Sequence, residues 1–296
     1  MTFVADEIAS QPQLWLRAAE LAAEPAVIAA LPARGARVAV VGCGTSLYMA
    51  RSWAARREQL GAGETDAFPA SEFPSGRRYD HVVALTRSGT TTEVVRLVTA
   101  LSGVIRTTVL TADAALPAGA AADHTVELDF ADERSVVQTR FATSALALLR
   151  AAVGDPVEAA AEQARAELGR EVPADLLDRR QFTFLGTGWT VGLAEEAGLK
   201  LRESAQAWAE AYPAMEYRHG PISVADAGSV VWMFGAPPEG LVDDIARTSA
   251  AVVTSDLDPM AQLVAAQRLA VALAERRGLD PDAPRNLTRS IVLADS

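Results

Sequence analysis

The chain of 296 residues has a single cysteine, Cys43, a single lysine, Lys200, three histidines, and only 6% aromatic residues. One cysteine excludes an internal disulfide and any metal site built from several thiolates. No apolar run reaches the roughly 20 residues a membrane-spanning helix needs. The N-terminus, MTFVADEIASQPQ, carries acids where a secretory signal carries bases. A soluble, cytoplasmic protein without a membrane partner is expected. Basic residues number 27 against 38 acidic ones, a net charge of −11, which disfavours nucleic acid and anionic membranes as partners. A small anionic ligand therefore requires a local device that overcomes this field. No grouping of His, Cys and Asp has metal-ligand spacing, so neither metal nor cofactor is expected.

What the chain does have is core material and a repeated rhythm. Half of its residues are hydrophobic, and its length suits two domains of ordinary size. Residues 1–31 read as a helical segment whose imperfect apolar face is interrupted by Pro12 and Pro25. The run VAVVG after Arg37 leads through Gly42-Cys43-Gly44-Thr45-Ser46 into a helix over 47–60. HVVAL at 81–85, the loop Thr86-Arg87-Ser88-Gly89-Thr90-Thr91 and a helix over 92–101 repeat that unit. Strands at 106–110 and 125–128 precede a long helix over 133–152. After Gly154-Asp155-Pro156 the pattern restarts, with strands in QFTFLG, SVVWMFG and AAVVTS and a helix over 261–277. Strands alternating with helices predict an α/β fold with parallel sheets covered on both faces.

The halves are related by a constant offset of 144. Gly42 and Gly44 fall on Gly186 and Gly188, Ala50 on Ala194, and Ala67 on Ala211. Phe68-Pro69-Ala70 falls on Tyr212-Pro213-Ala214, and Glu72-Phe73 on Glu216-Tyr217. A duplicated domain is expected, with residues 32–155 as the first copy and 156–296 as the second. The hydroxyl loop has no counterpart in the second half, where the apolar run Val231-Trp232-Met233-Phe234-Gly235 stands. One copy is thus expected to bind and the other to react.

The hydroxyl loop is a candidate anion site. A strand end feeding a turn of Ser, Thr and Gly, then a helix, aims backbone N–H groups and a positive helix end at one point. Thr86, Ser88 and Thr91 add donors without bulk, and a phosphate monoester is the natural guest. The same residues are also what an ordinary helix cap uses. The turn at Gly42 lacks the three spaced glycines of a dinucleotide site and the lysine of a phosphate loop. Cys43 reads as a small packed residue.

The chemistry-bearing residues collect between Phe184 and Pro221. Lys200 and Glu203 are three apart in a segment whose apolar residues, Leu193, Ala197, Leu201, Ala205 and Trp208, recur with helical period. Taken alone, such a pair is most often a surface ion pair of little energetic worth. His219 follows in a Gly-Pro turn. His81 sits at a strand start and His124 in a loop before a strand, and both read as structural.

VVGCGTSLYMA, VVALTRSGTTTEVV, ERSVVQTRFATSALALL, LKLRESAQAWAEAYPAMEYRHGP and the tail PRNLTRSIVL together resemble the tandem sugar-isomerase (SIS) domain family. The likeness is to the isomerase half of glucosamine-6-phosphate synthase and its stand-alone deaminase/isomerase relatives. The resemblance implies a flavodoxin-like three-layer αβα fold in each half, a homodimer and a phosphosugar ligand. It implies that Gly44, Thr45 and Ser46 meet the sugar, and that Thr86, Arg87, Ser88 and Thr91 hold its phosphate. Glu203 would move a proton between C1 and C2, Lys200 would stabilise charge beside it, and His219 would open the ring, often from the partner subunit. That division suits aldose–ketose chemistry, which needs an acid/base at the ring oxygen and a carboxylate at the carbon.

Two departures qualify the transfer. The synthase has a glutamine-hydrolysing domain ahead of its sugar domains and this chain starts at the sugar domain, so amino-sugar synthesis from glutamine is not expected. Its tail lysine, which forms an imine, is Arg289 here. A guanidinium stays protonated and forms no imine, but it can bind a sugar or phosphate as a fixed cation. The expected activity is a glucosamine-6-phosphate deaminase or aldose–ketose isomerase. A fructosamine-6-phosphate deglycase and a non-catalytic phosphosugar sensor are the alternatives.

Overall fold

The computed structural model describes residues 2–294, which form two compact units. One takes Gln13–Val157 and the tail from Leu287. The other takes the N-terminal residues through Pro12 and Glu158–Asn286. The boundary falls inside α1 (Phe3–Ala22), which runs on through Pro12. A proline there cannot donate to the carbonyl of Ile8. The buried side-chain amide of Gln11 donates to it instead, at 3.2 Å.

In the Gln13–Val157 unit, Pro25 opens α2 (Pro25–Ala30) at its first turn, where a missing N–H costs nothing. Five parallel strands follow: β1 (Val38–Gly42), β2 (Thr65–Pro69), β3 (His81–Leu85), β4 (Arg106–Thr111) and β5 (His124–Glu127), in the order β2-β1-β3-β4-β5. This is the flavodoxin-type doubly wound order. The helices are α3 (Thr45–Gln59), α4 (Thr92–Leu101), α5 (Pro117–Ala121) and α6 (Arg140–Ala152). Alternate side chains leave opposite faces of a strand. Ala39, Val41, Val82, Ala84 and Val109 pack against Val94, Val98 and Leu101 of α4 and Ala118 of α5. Val38, Val40, Val83 and Leu85 are buried on the other face, where α3 lies along β1 and α6 along α3.

The second unit holds α7 (Glu158–Leu168), α8 (Ala174–Leu177), β6 (Gln181–Gly186), α9 (Thr190–Ala205), β7 (Trp208–Pro213), β8 (Ser229–Phe234), α10 (Leu241–Ala246), β9 (Ala251–Val253) and α11 (Pro259–Arg276). Its strands are parallel in the order β7-β6-β8-β9, the first sheet's order without a fifth strand. One face carries Leu185, Val231 and Met233 against Leu241 and Ile245 of α10. The other carries Phe184, with Trp232 and Phe234 at ring-centroid distances of 6.1 and 6.3 Å. Matching registers recur, Gly42 opposite Pro69 and Gly186 opposite Pro213.

The α/β class with parallel sheets is as the periodicity predicts. Three local readings differ. β2 and β7 are edge strands with half-exposed residues, so neither carries the continuous apolar run that marks a buried parallel strand. Trp208 opens β7 and is 70% exposed, because α9 ends at Ala205 and Gln206 takes a left-handed conformation (φ 50°). The helix expected from Glu133 begins only at Arg140, for a reason that appears at the site.

His81 is structural. Its Nε2 lies 2.8 Å from Thr108 Oγ1, which donates to the Ala30 carbonyl at 2.5 Å. Thr108 has one proton to give, so the imidazole is the donor in that pair and carries a proton on Nε2. Burial, with the nearby Arg106 cation second, lowers its pKa to about 4. The unfolded chain then binds the extra proton between pH 6.5 and 4, so stability falls with pH across that window, by on the order of 3 kcal/mol at most. Urea denaturation at pH 6.5 and pH 4 should show this loss shrinking in His81→Gln. An unchanged loss removes His81 as its source.

Candidate functional site

Strands β1 and β3 are neighbours, and the chain leaves them toward opposite edges of the sheet. The turns after them flank a topological switch point, where parallel sheets bind ligands. The first turn depends on Gly42. A Cβ there would stand 2.7 Å from the Ser46 backbone carbon, so only glycine admits the start of α3 so close; at Gly186 the clash with Thr190 would be at 2.5 Å. Gly44 (φ 56°) precedes α3, and Thr45 and Ser46 lie buried in its first turn. Cys43 is half-buried. Burial, then the charge of Glu93, push its thiol pKa up, so it is a poor nucleophile.

The second turn is Thr86 to Thr91. Gly89 adopts φ 62°, and a Cβ on it would meet the Leu116 Cβ at 2.8 Å. The hydroxyls of Ser88, Thr90 and Thr91 gather around Ser290: Ser88 Oγ to Thr91 Oγ1 is 3.3 Å, and Ser290 Oγ lies 3.1 Å from Ser88 Oγ and 3.0 Å from Thr90 Oγ1. Thr86 is 3% exposed, and its hydroxyl is buried without a partner among the described residues.

Arg87 is 1% exposed and faces protein oxygens. It donates to the carbonyls of Ser135 (3.0 Å) and Arg289 (2.7 Å), with a Glu133 carboxylate oxygen at 3.8 Å. The other oxygen of Glu133 accepts from Thr139 N–H (2.5 Å), Thr139 Oγ1 (2.9 Å) and Arg140 N–H (2.8 Å). The segment before α6 is therefore wound around Arg87, which is why the helix starts late. Arg289 donates to the Glu133 carbonyl and pairs with Asp132 at 2.5 Å. A cavity of about 270 Å³ beside the loop is lined by Ser88, Thr90, Asp113, Asp132, Arg289 and Ser290 among others.

In the other unit, α9 presents Glu196, Lys200 and Glu203 on one side. Lys200 is 1% exposed, bonded to Glu203 and 3.4 Å from Glu196. The Glu196 side chain is 1% exposed and that of Glu203 17%, so Glu203 is the carboxylate with access to solvent. His219 is exposed in the turn Glu216–His219 and makes no hydrogen bond or ion pair with either Lys200 or Glu203. Among the described residues no group of three His, Cys, Asp or Glu is arranged to hold a metal, and no helix is long and apolar enough to cross a membrane.

Sequence reading missed Glu133, Glu196 and Ser290. Glu196 had a signal, since it is four residues before Lys200 and seven before Glu203, on one helical face. Ser290 had none, being about 200 residues from the hydroxyls it joins.

The fold and loop place the molecule in the class of doubly wound α/β proteins, with a hydroxyl-lined turn at the switch point. Its relatives are more particular. The chain is 27% identical over 307 residues to the glutamine–fructose-6-phosphate aminotransferase (isomerizing) of Methanothermobacter thermautotrophicus, across 87% of this chain and 52% of that protein. It spans about half the length of that relative, and less of others. Its fold matches glucosamine-6-phosphate deaminase of Thermotoga maritima (TM-score 0.82, 23% identity, 99% and 100% of the two chains). It also matches tagatose-6-phosphate ketose/aldose isomerase of Escherichia coli (TM-score 0.81, 19% identity, 99% and 96%). No family model matches the chain. The sugar-isomerase resemblance drawn from the motifs is borne out by these relatives.

The Glu133 arrangement gives a direct test. Removing one partner of a buried ion pair costs about 3–5 kcal/mol. Glu133→Ala should lose stability on that scale in urea denaturation, and Glu133→Gln less, since its amide oxygen still accepts from Thr139 and Arg140. Equal, small losses would mean Arg87 does not depend on this carboxylate.

Proposed function

We propose that the protein is a phosphosugar isomerase or deaminase acting on a hexose or hexosamine 6-phosphate, with glucosamine-6-phosphate deamination as the leading reaction. The reading takes the sequence as two tandem copies of one sugar-isomerase domain, 32–155 and 156–296 after an N-terminal segment, working as a cytoplasmic homodimer. The equal offset, the matching strand orders and the paired Gly42–Pro69 and Gly186–Pro213 registers support the duplication.

The observation that carries the reaction is the buried Lys200 between two carboxylates on α9. Taking such a cluster out of water is usually no gain in stability over apolar residues of the same size. Its presence in a core helix, with only Glu203 reachable, is what proton transfer at a sugar carbon requires. In this mechanism the hydroxyls of Thr86, Ser88 and Thr91 and the start of α4 hold the phosphate, and Gly44, Thr45 and Ser46 meet the sugar. Arg87 acts from behind the loop, through its carbonyl bonds. His219 transfers the proton that opens the ring. Its exposure suits it to serve a partner subunit's site. Glu203 then takes the proton from one carbon and returns it to the next, while Lys200 offsets the negative charge that develops. Arg289, anchored beside the loop, is a fixed cation near the phosphate. No imine forms on it, so in the deamination the C2-to-C1 proton transfer turns the substrate's own C2 amine into an imine, and water hydrolyses that C=N bond to give the ketose and ammonia.

Ammonia release and ketose formation from glucosamine 6-phosphate test the proposal. Glu203→Gln should lower kcat by about 10²–10⁴ and leave substrate affinity nearly unchanged. Equal turnover in wild type and variant removes Glu203 as the catalyst. Tight binding without turnover in the wild type identifies a sensor, and turnover confined to phosphorylated fructosamines identifies a deglycase.

A further inference from the structure

Apart from Arg289, the C-terminal tail has no part in that mechanism. The structure gives it a position. Residues 287–294 pack on the Gln13–Val157 unit and take up the donors that the hydroxyl loop would offer an anion. Ser290 Oγ lies 3.1 Å from Ser88 Oγ, 3.0 Å from Thr90 Oγ1 and 3.4 Å from Thr91 Oγ1. The backbone N–H of Thr92, at the start of α4, donates to the Ile291 carbonyl at 3.1 Å. The Leu293 N–H donates in turn to Thr92 Oγ1 at 2.9 Å. A hydroxyl and a carbonyl oxygen of the protein's own tail thus occupy donors of the loop and of the start of α4.

We propose that residues 290–293 are an intramolecular competitor for the phosphate group, occupying the loop until an anion displaces Ser290 and Ile291. The inference rests on the phosphate reading of the loop. Neutral hydrogen bonds of this kind contribute about 1 kcal/mol each. A phosphate dianion at the same point makes charge-assisted bonds roughly twice as strong and faces a positive helix end. Displacement is therefore favourable at moderate phosphate, and the apparent affinity is reduced by the fraction of molecules with the tail in place. Little apolar burial resists release, since Ile291, Val292 and Leu293 are 50%, 67% and 50% exposed. Arg289 has a different anchorage. Its side chain is held by Asp132 and the Glu133 carbonyl, and its own carbonyl by Arg87. It is the fixed point from which the following residues swing away.

A tail that instead closed over a bound ligand would behave oppositely. It would be protected by phosphate, whereas a competitor is released by it.

Inorganic phosphate titrated calorimetrically into the full chain separates the possibilities. Ser290→Ala should bind phosphate about fivefold more tightly than wild type, the equivalent of one lost competing hydrogen bond. Ser290→Asp, which places a carboxylate on the loop, should bind it more than tenfold more weakly. Ser88→Ala should weaken binding in either background. Phosphate should also speed thermolysin cleavage within 291–293 in the wild type. Equal affinities across the Ser290 variants, with Ser88→Ala still weakened, overturn the competition and leave the phosphate loop standing. Protection of the tail by phosphate overturns it in favour of a closing lid. No phosphate binding in any protein, Ser290→Ala included, overturns both the loop's assignment and the competition built on it.

Discussion

A guanidinium withdrawn from water must have its donors met by protein oxygens, and Arg87 is where this constraint shapes the Gln13–Val157 unit. Its side chain draws in the carbonyls of Ser135 and Arg289 and sits beside Glu133. Three stretches far apart in sequence are thereby tied together: the turn after β3, the irregular segment before α6, and the C-terminal tail. The hydroxyls of Ser88, Thr90 and Thr91 can then face outward without the arginine competing for them. In the proposed function this loop would meet an anion with N–H and O–H dipoles, in a chain whose net charge is −11.

The α9 cluster obeys the same rule with the charges reversed. One lysine is held between two carboxylates, one sealed in the core and one at its edge. The sealed member, Glu196, fixes where the ammonium sits, and Lys200 fixes Glu203. A carboxylate whose direction is set by a buried neighbour is better suited to move a proton between adjacent atoms than one on a mobile surface side chain. In each unit the group proposed to meet substrate is therefore positioned by a charged residue behind it.

Much of this was legible in the residues. The central strands, HVVAL, QFTFLG and SVVWMF, announce themselves because strands buried on both faces are apolar without interruption. Lys200 and Glu203 stood out because helical spacing places them together. Edge strands β2 and β7 escaped, since an exposed edge carries mixed residues. Trp208 fitted the helical period only because nothing in the sequence announces that Gln206 turns left-handed and ends α9. Glu133 read as a helix start and instead accepts the first N–H groups of α6 while lying beside Arg87, a role set by a residue 46 positions earlier.

The sequence by itself determined the α/β alternation, the glycine turns and the residue types able to do chemistry, because these follow from side-chain periodicity and from steric limits within a few residues. Only the tertiary structure decided what each polar group faces: Arg87 turned inward to carbonyls, Glu196 sealed behind Lys200, Ser290 seated on the hydroxyl loop. Hydrogen-bond partners separated by tens or hundreds of residues leave no local trace in the chain. They are chosen when burial forces each donor to find an acceptor among whatever the packed elements bring within reach.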